Sequence, residues 1–344
     1  MSKKPNEISV IIPSYKPNLD TLAECLKAIC DSDFKPKEII LVDDGSFMEY
    51  PEEIRTCCRI IRNIKNMGPA YAKNAGAKEG KSDILCFIDA DVKVGRDALT
   101  KIIGKFSDPD VAAVQTIYSK FTPVRNFFSE YQTLYQHYNF QTIRSDYLCT
   151  FGSYAIAIRK DVFFKTGGFD ERIKRPSVED EHLGAVLYSK GYNILLAKDV
   201  EVEHMADYNM VKLLKRMFIM GEENVKYFVM QPALKKMKLS KTHHSLNLIA
   251  SVLIAPLSMV FLIVAAAIPL TGILAAMFIA VFLLVNAGFL MFLYRNRGAV
   301  FTLKSVIAYY FVSISSFLGC LKGVIDGLAK CATPYVKDGI EKSI

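Results

Sequence analysis

From Leu246 to Leu293 the chain carries no Asp, Glu, Lys or Arg. Such a run is too long for one buried core helix. Crossing about 30 Å of hydrocarbon takes roughly twenty helical residues at 1.5 Å each, so the run reads as two membrane spans. They cover about 246–268 and 272–294, with the break at Pro269-Leu270-Thr271-Gly272. Lys235, Lys236, Lys238 and Lys241 flank the pair on one side, and Arg295, Arg297 and Lys304 on the other. The positive-inside rule then puts both flanks, and the N-terminal part of the chain, on the cytoplasmic face of the plasma membrane. A third apolar stretch, within 305–328, is marginal in length; it predicts a third crossing, with a helix lying in the interface as the alternative. Residues 330–344 form a tail.

The segment 206–244 is different in kind. Met210, Leu214, Met217, Phe218, Gly221, Val225 and Phe228 recur at helical spacing, with Lys212, Lys215 and Arg216 on other faces. This pattern predicts an amphipathic interfacial helix docked on anionic lipid; an ordinary helix packed on a soluble core is the alternative. The net charge of +8 gathers around 212–241 and 295–304, beside the apolar stretches, so membrane lipids rather than nucleic acid are the expected partner. The eight cysteines show no CxxC pair and no zinc-ligand spacing, which argues against a disulfide scaffold or zinc module and for a reducing compartment. Met1–Glu7 is polar rather than signal-like, so the first domain is expected to stay where it is made.

Residues 1–205 alternate short apolar runs with helical patterns: strands at Ile8–Pro13, Glu38–Val42, Arg59–Arg62 and Ile84–Ile88, helices at Leu19–Cys30 and Pro69–Glu79. Strands buried on both faces and linked by helices predict an α/β, Rossmann-like, largely parallel sheet with right-handed crossovers. Ligands in such sheets bind beyond the carboxyl ends of the strands. There stand Pro13-Ser14-Tyr15, Asp43-Asp44-Gly45-Ser46 and Asp89-Ala90-Asp91. Neither GxGxxG nor GxxxxGK[ST] occurs, which disfavours a dehydrogenase or a P-loop enzyme. Asp89 and Asp91, two residues apart at a strand's end, can turn hard carboxylate oxygens to one side and hold Mg²⁺ or Mn²⁺. A plain turn after a strand accounts for either acidic cluster taken alone.

Six segments in order, ISVIIPSYKPN (8–18), EIILVDDGS (38–46), NMGPAYAKNAGAKEG (66–80), CFIDADV (86–92), GSYAIAIRKDVFFKTGGFDE (152–171) and VEDEHLGAVLYSKGY (178–192), resemble the family 2 glycosyltransferases of the nucleotide-diphospho-sugar (GT-A) fold. The resemblance covers roughly 1–205. It implies a nucleotide-sugar subsite of Pro13, Ser14, Tyr15, Asp43, Asp44 and Asp89, a metal held by Asp91 with Asp89 behind it, and catalysis by Asp180, as the base, and Glu179 in the acidic Glu179-Asp180-Glu181 cluster. It also implies that His204 joins the metal, that Asn74 or Lys73 reaches the diphospho-sugar from a helix N-terminus, and that Gly168 lines the donor cleft. Ser177 to Asp180 reads equally as a capping start whose helix dipole would lower the pKa of Asp180.

Processive relatives carry a QxxRW motif; here Leu214-Lys-Arg-Met-Phe218 lacks its Gln and Trp, with Met217 at the Arg position, which disfavours polymer synthesis. The expectation is a membrane-anchored, inverting, non-processive enzyme moving one sugar from a nucleotide-diphospho-sugar to a hydroxyl of a lipid-linked or glycan acceptor of the cell envelope. A polyprenyl-phosphate glycosyltransferase is the nearer alternative, and a catalytically silent nucleotide-sugar-binding membrane module the more distant one.

Overall fold

The computed structural model describes residues 7–226, residue 242 and residues 246–332. The flanking lysines at 235–241, the end of the amphipathic segment and the tail from 333 onward lie outside the described residues.

Four strands open the sheet in parallel: β1 (Ile8–Ser14), β2 (Glu38–Asp43), β3 (Arg59–Arg62) and β4 (Ile84–Ile88), in spatial order β3-β2-β1-β4. Their connections are α1 (Leu19–Cys30), α2 (Glu52–Cys57) and α3 (Pro69–Glu79). Asn18 caps α1 through its side chain on the Thr21 amide, and Pro69 opens α3, where a missing N–H costs nothing. β1 and β4 read as continuous apolar runs because both faces are covered, and Ile8, Val10, Ile11 and the whole of β4 are fully buried.

Beyond β4 the sheet ceases to be parallel. After β5 (Val92–Val94), α4 (Ala98–Lys105), β6 (Val111–Tyr118), α5 (Phe127–Thr142) and β7 (Tyr147–Leu148), the strand β8 (Ala155–Arg159) inserts antiparallel between β4 and β6. The chain continues through α6 (Lys160–Lys165) and α7 (Glu179–Ser189) to β9 (Asn193–His204), which lies parallel to β6 and antiparallel to β5. The sheet is therefore mixed, a correction to the largely parallel expectation. Its order, β3-β2-β1-β4-β8-β6-β9-β5, brings the ends of β1, β2, β4 and β9 to one cleft. No disulfide forms among the described cysteines.

The C-terminal part is helical. α8 (Met210–Asn224) is followed by α9 (Leu246–Val264), α10 (Thr271–Val285) and α11 (Ala287–Ala332). Leu246–Val264 and Ala287–Leu328 are long and apolar enough to cross a membrane, whereas Thr271–Val285 is shorter. The stretch expected as 272–294 is divided at Asn286, whose buried amide donates to Ser251 Oγ and Phe282 O, both at 2.8 Å. α11 is interrupted at Gly298, with φ 80° and ψ −178°, between Arg297 and Lys304 and ahead of the third apolar stretch.

α8 packs against α11 rather than lying apart on one face. The contact is close because glycines line it: a Cβ on Gly319 would stand 2.0 Å from Phe218 O, and one on Gly221 2.3 Å from Ser316 O. Gly319→Val should therefore force the helices apart and cost about 1–3 kcal/mol, read as an earlier thermal transition in neutral detergent. A second cluster of Tyr131, Tyr135, Phe282, Phe289 and Tyr309, with the Arg297–Glu130 ion pair at 2.9 Å, joins α5 of the sheet domain to the apolar helices.

Candidate active site

Strand pairing sets the acidic end of the cleft. Asp89 and Asp91 leave β4, and the next residue, Val92, pairs with His204 across β5 and β9. This register places Asp91 Oδ2 3.5 Å from His204 Nε2. The imidazole stacks on Tyr118 at 4.8 Å between centroids, and Tyr118 stacks in turn on Tyr154 at 3.9 Å, so the ring has little freedom to turn. Burial opposes ionisation of Asp91, but the His204 hydrogen bond and the nearby charges of His204 and Arg216 hold its pKa below the usual value. Asp89 behaves oppositely: burial, together with the charges of Asp91 and Glu179, outweighs Lys73 and lifts it to about 6.

A carboxylate and an imidazole side by side, with a second carboxylate behind them, suit a divalent cation of the Mg²⁺ or Mn²⁺ type. Among the described residues no group of three or more His, Cys, Asp or Glu side chains stands ready to enclose an ion.

Asp180 stands in the first turn of α7. Its Oδ2 accepts Ser153 N at 2.8 Å and Ser153 Oγ at 3.2 Å, while Oδ1 accepts Glu181 N at 2.8 Å. The dipole argument predicts a lowered pKa here; the structure reverses it. Burial, then the adjacent Glu179 charge, raises Asp180 to about 7 against the pull of Lys73. Nor does Ser177 cap the helix: Val178 stands at the N-cap with no side-chain cap bond.

Lys73 and Glu179 form a buried ion pair at 2.8 Å, 2% and 4% exposed. Lys73 also donates to Ser153 Oγ, and Glu179 accepts Ser177 N at 3.0 Å. Both side chains are thus engaged within the protein, where they fix Ser153 and the start of α7. Asn74 is engaged likewise: its Nδ2 donates to Phe169 O at 2.8 Å and Glu171 Oε1 at 2.9 Å, and its Oδ1 accepts Phe169 N at 2.9 Å. Its role in the structure is to hold the Gly167-Gly168-Phe169 turn. Gly168 has φ 69° and a Cβ there would meet Asn74 Oδ1 at 2.7 Å, so this turn requires glycine.

At the β1 and β2 exits the two neighbouring aspartates differ. Asp44 accepts Asn63 Nδ2 at 2.7 Å, Met67 N at 3.1 Å and Gly68 N at 2.8 Å, closing the loop that leads into α3. Asp43 accepts Ser46 N at 2.8 Å through one oxygen, while its other oxygen faces Arg62 Nε at 3.6 Å, with Tyr50 OH and Ser14 Oγ beside it. Pro13 continues β1 against Val42, and Tyr15 projects beyond it, 48% exposed, with Lys16 Nζ 5.4 Å from the ring centroid.

Arg216 is the residue that motif reading misses. It lies one place before the position compared with the QxxRW arginine, on α8, and donates to Tyr208 OH at 3.1 Å. Its charge acts on both Asp91 and Asp89, so a helix outside the sheet domain brings a cation to the acidic end of the cleft. The signal was present in the helical spacing, but only the docking of α8 reveals which face meets the site.

The family model described as Glycosyl transferase family 2 matches residues 9–164. An N-acetylglucosaminyltransferase of Bradyrhizobium elkanii is 34% identical over 116 residues, which cover 31% of this chain and 63% of that protein. A hyaluronan synthase of Streptococcus pyogenes is 28% identical over 123 residues, 32% of this chain and 29% of that protein. The chain thus matches less than two thirds of the length of these relatives. Among solved structures, the mannosyltransferase PcManGT from Pyrobaculum calidifontis, in complex with GDP-Man and Mn²⁺, superposes with a TM-score of 0.57 at 18% identity, covering 94% of this chain and 88% of the other. Residues 9–164 thus match the family 2 glycosyltransferase model on a mixed sheet of the GT-A type, followed by C-terminal helices of which two, among the described residues, are apolar enough to span a membrane.

Proposed function

We propose that the protein is a membrane-anchored, inverting, non-processive glycosyltransferase that moves one sugar from a nucleotide-diphospho-sugar to a hydroxyl of a lipid-linked or cell-envelope acceptor, at the cytoplasmic face of the plasma membrane. The observation that carries this reading is Asp180, a carboxyl raised to about 7 and held in place by Ser153 at the start of α7. A hydroxyl nucleophile needs a base, and a base works best with a pKa near the working pH. A phosphate nucleophile needs none, which disfavours the polyprenyl-phosphate alternative; a silent binding module has no use for such a group.

In this scheme the base of the donor nucleotide lies against Tyr15 and donates N–H to the Asp43 carboxylate. Asp91 and His204, with Asp89 behind, would hold a divalent cation, which when bound supplies neutralisation of the charge that grows on the departing diphosphate. Arg216 adds a fixed positive charge on the same side. Asp180 takes the proton of the acceptor hydroxyl as its oxygen attacks the anomeric carbon from the face opposite the diphosphate, so the configuration inverts. Lys73 and Glu179 act as positioning residues.

The test is release of nucleoside diphosphate from a panel of UDP-, GDP- and dTDP-sugars by the full chain, with Mn²⁺ and with EDTA. Mn²⁺-dependent release from one donor class is expected, and Asp91→Asn should lower it at least about a hundredfold. Release that is indifferent to EDTA and to Asp91→Asn would overturn the metal assignment.

A further inference from the structure

The segment Gly152-Ser153-Tyr154, between β7 and β8, bonds to both acidic elements of the cleft. Ser153 N donates to Asp180 Oδ2 at 2.8 Å, and the next carbonyl, Tyr154 O, accepts Asp89 N at 2.9 Å. Whatever holds this segment therefore sets where the Asp180 carboxyl stands relative to the backbone that carries Asp89 and Asp91. Gln115 of β6 is fully buried and bonds to backbone at both ends of its amide: Oε1 accepts Gly152 N at 2.7 Å, and Nε2 donates to Thr116 O at 2.7 Å. One contact demands an acceptor and the other a donor, so the amide has a single orientation.

The strand makes room for this. Pairing of β6 with β9 shifts register here, passing from Gln115–Leu196 to Ile117–Glu201 across Thr116. The Thr116 carbonyl accepts a second side chain, Tyr154 OH at 2.7 Å, so Gln115 and Tyr154 converge on one oxygen. The Tyr154 ring stacks on Tyr118, which stacks in turn on His204. In a strand buried throughout, VAAVQTIY, a polar side chain is costly unless its bonds are made. The bonds Gln115 makes are the anchorage of the segment that carries Ser153.

We infer that Gln115 is a positioning residue of the transfer reaction, acting through Gly152 and Ser153 on Asp180; the inference rests on the transferase reading above and adds a residue to it. The test follows labelled sugar from the donor panel into a membrane-lipid extract, using the full chain in neutral detergent, with donor affinity measured separately. Gln115→Met keeps the length of the side chain and removes both hydrogen bonds. Turnover is expected to fall about 10–100-fold with donor affinity within about twofold of the parent. Gln115→Glu, which keeps an acceptor for Gly152 N, should lose less. In a chain already carrying Asp180→Asn, adding Gln115→Met should lower the residual transfer by less than about threefold, because the group it positions no longer takes the proton. If Gln115→Met does not fold, Gln115→Asn, one methylene shorter and still polar, is read in its place with the same expectation. Unaltered turnover, a loss of donor affinity as large as the loss of turnover, a Glu variant as slow as the Met one, or the full loss repeated beside Asp180→Asn would each overturn the assignment. A parent chain that transfers no sugar from any donor overturns the transferase reading and the assignment with it, whereas an active parent beside an equally active Gln115→Met overturns the assignment alone.

Discussion

Asp180→Asn is expected to lower sugar transfer by about 10²–10⁴-fold while leaving donor affinity within a fewfold of the parent, because the contribution of a positioned base is lost and the nucleotide end of the cleft is untouched. Asn can still accept the Ser153 amide through its carbonyl oxygen, at the loss of the bond from Glu181 N; what it also lacks is a site for the proton. The parent's pH profile follows from the same group. With burial and Glu179 raising Asp180 to about 7, the ionised, proton-accepting form is the minor one below that pH. Turnover of the acceptor reaction should therefore climb nearly tenfold per pH unit up to about 7 and level above it, while donor binding does not follow that curve. Steady-state transfer, with donor affinity measured separately between pH 5 and 9, checks both. A variant with full activity, or a flat profile in the parent, removes Asp180 from the role of base.

Lys73→Met should be the most destabilising single change in the cleft, at about 3–5 kcal/mol, because it leaves the carboxylate of Glu179 buried with its positive partner gone. The loss is of a particular kind. If it comes from an uncompensated charge, Lys73→Met combined with Glu179→Gln should recover a large part of it; if it comes from packing, the two losses should add. Denaturant midpoints of the four chains in one detergent separate the cases. The double variant is further expected to remain slow in transfer even when folded, since Ser153 would lose the ammonium that anchors its hydroxyl and Asp180 would lose its fixed bearing.

Much of the fold is legible in the residues because its signals are local. Apolar runs such as Ile84–Ile88 announce buried strands, Pro69 and Gly68 mark a helix start, and the uncharged stretch from Leu246 announces membrane-length helices. The direction of β8 is not legible, since AIAIR reads the same whether it runs with β4 or against it. In the cleft, the acidic motifs stand out as strand-end and helix-start patterns, but their partners do not. Lys73 and Glu179 are 106 residues apart, and nothing near either one says that they meet. The sign of the Asp180 shift escapes for a related reason: a helix dipole is visible in the pattern, whereas burial and a neighbouring like charge outweigh it only in the folded cleft. Arg216 is the extreme case, a side chain whose place depends on how a helix beyond the sheet docks.

The order of the strands has a practical consequence for anyone cutting this gene. The match to the family model stops at residue 164, yet β9, which fills the gap between β6 and β5, is not complete until residue 204. A truncation at the end of that match would therefore leave β6 with a naked edge of unpaired amides and strand its neighbour β5 altogether, the condition that invites chains to stick to one another. The smallest piece worth expressing ends past His204, and pieces ending sooner belong in the inclusion-body fraction.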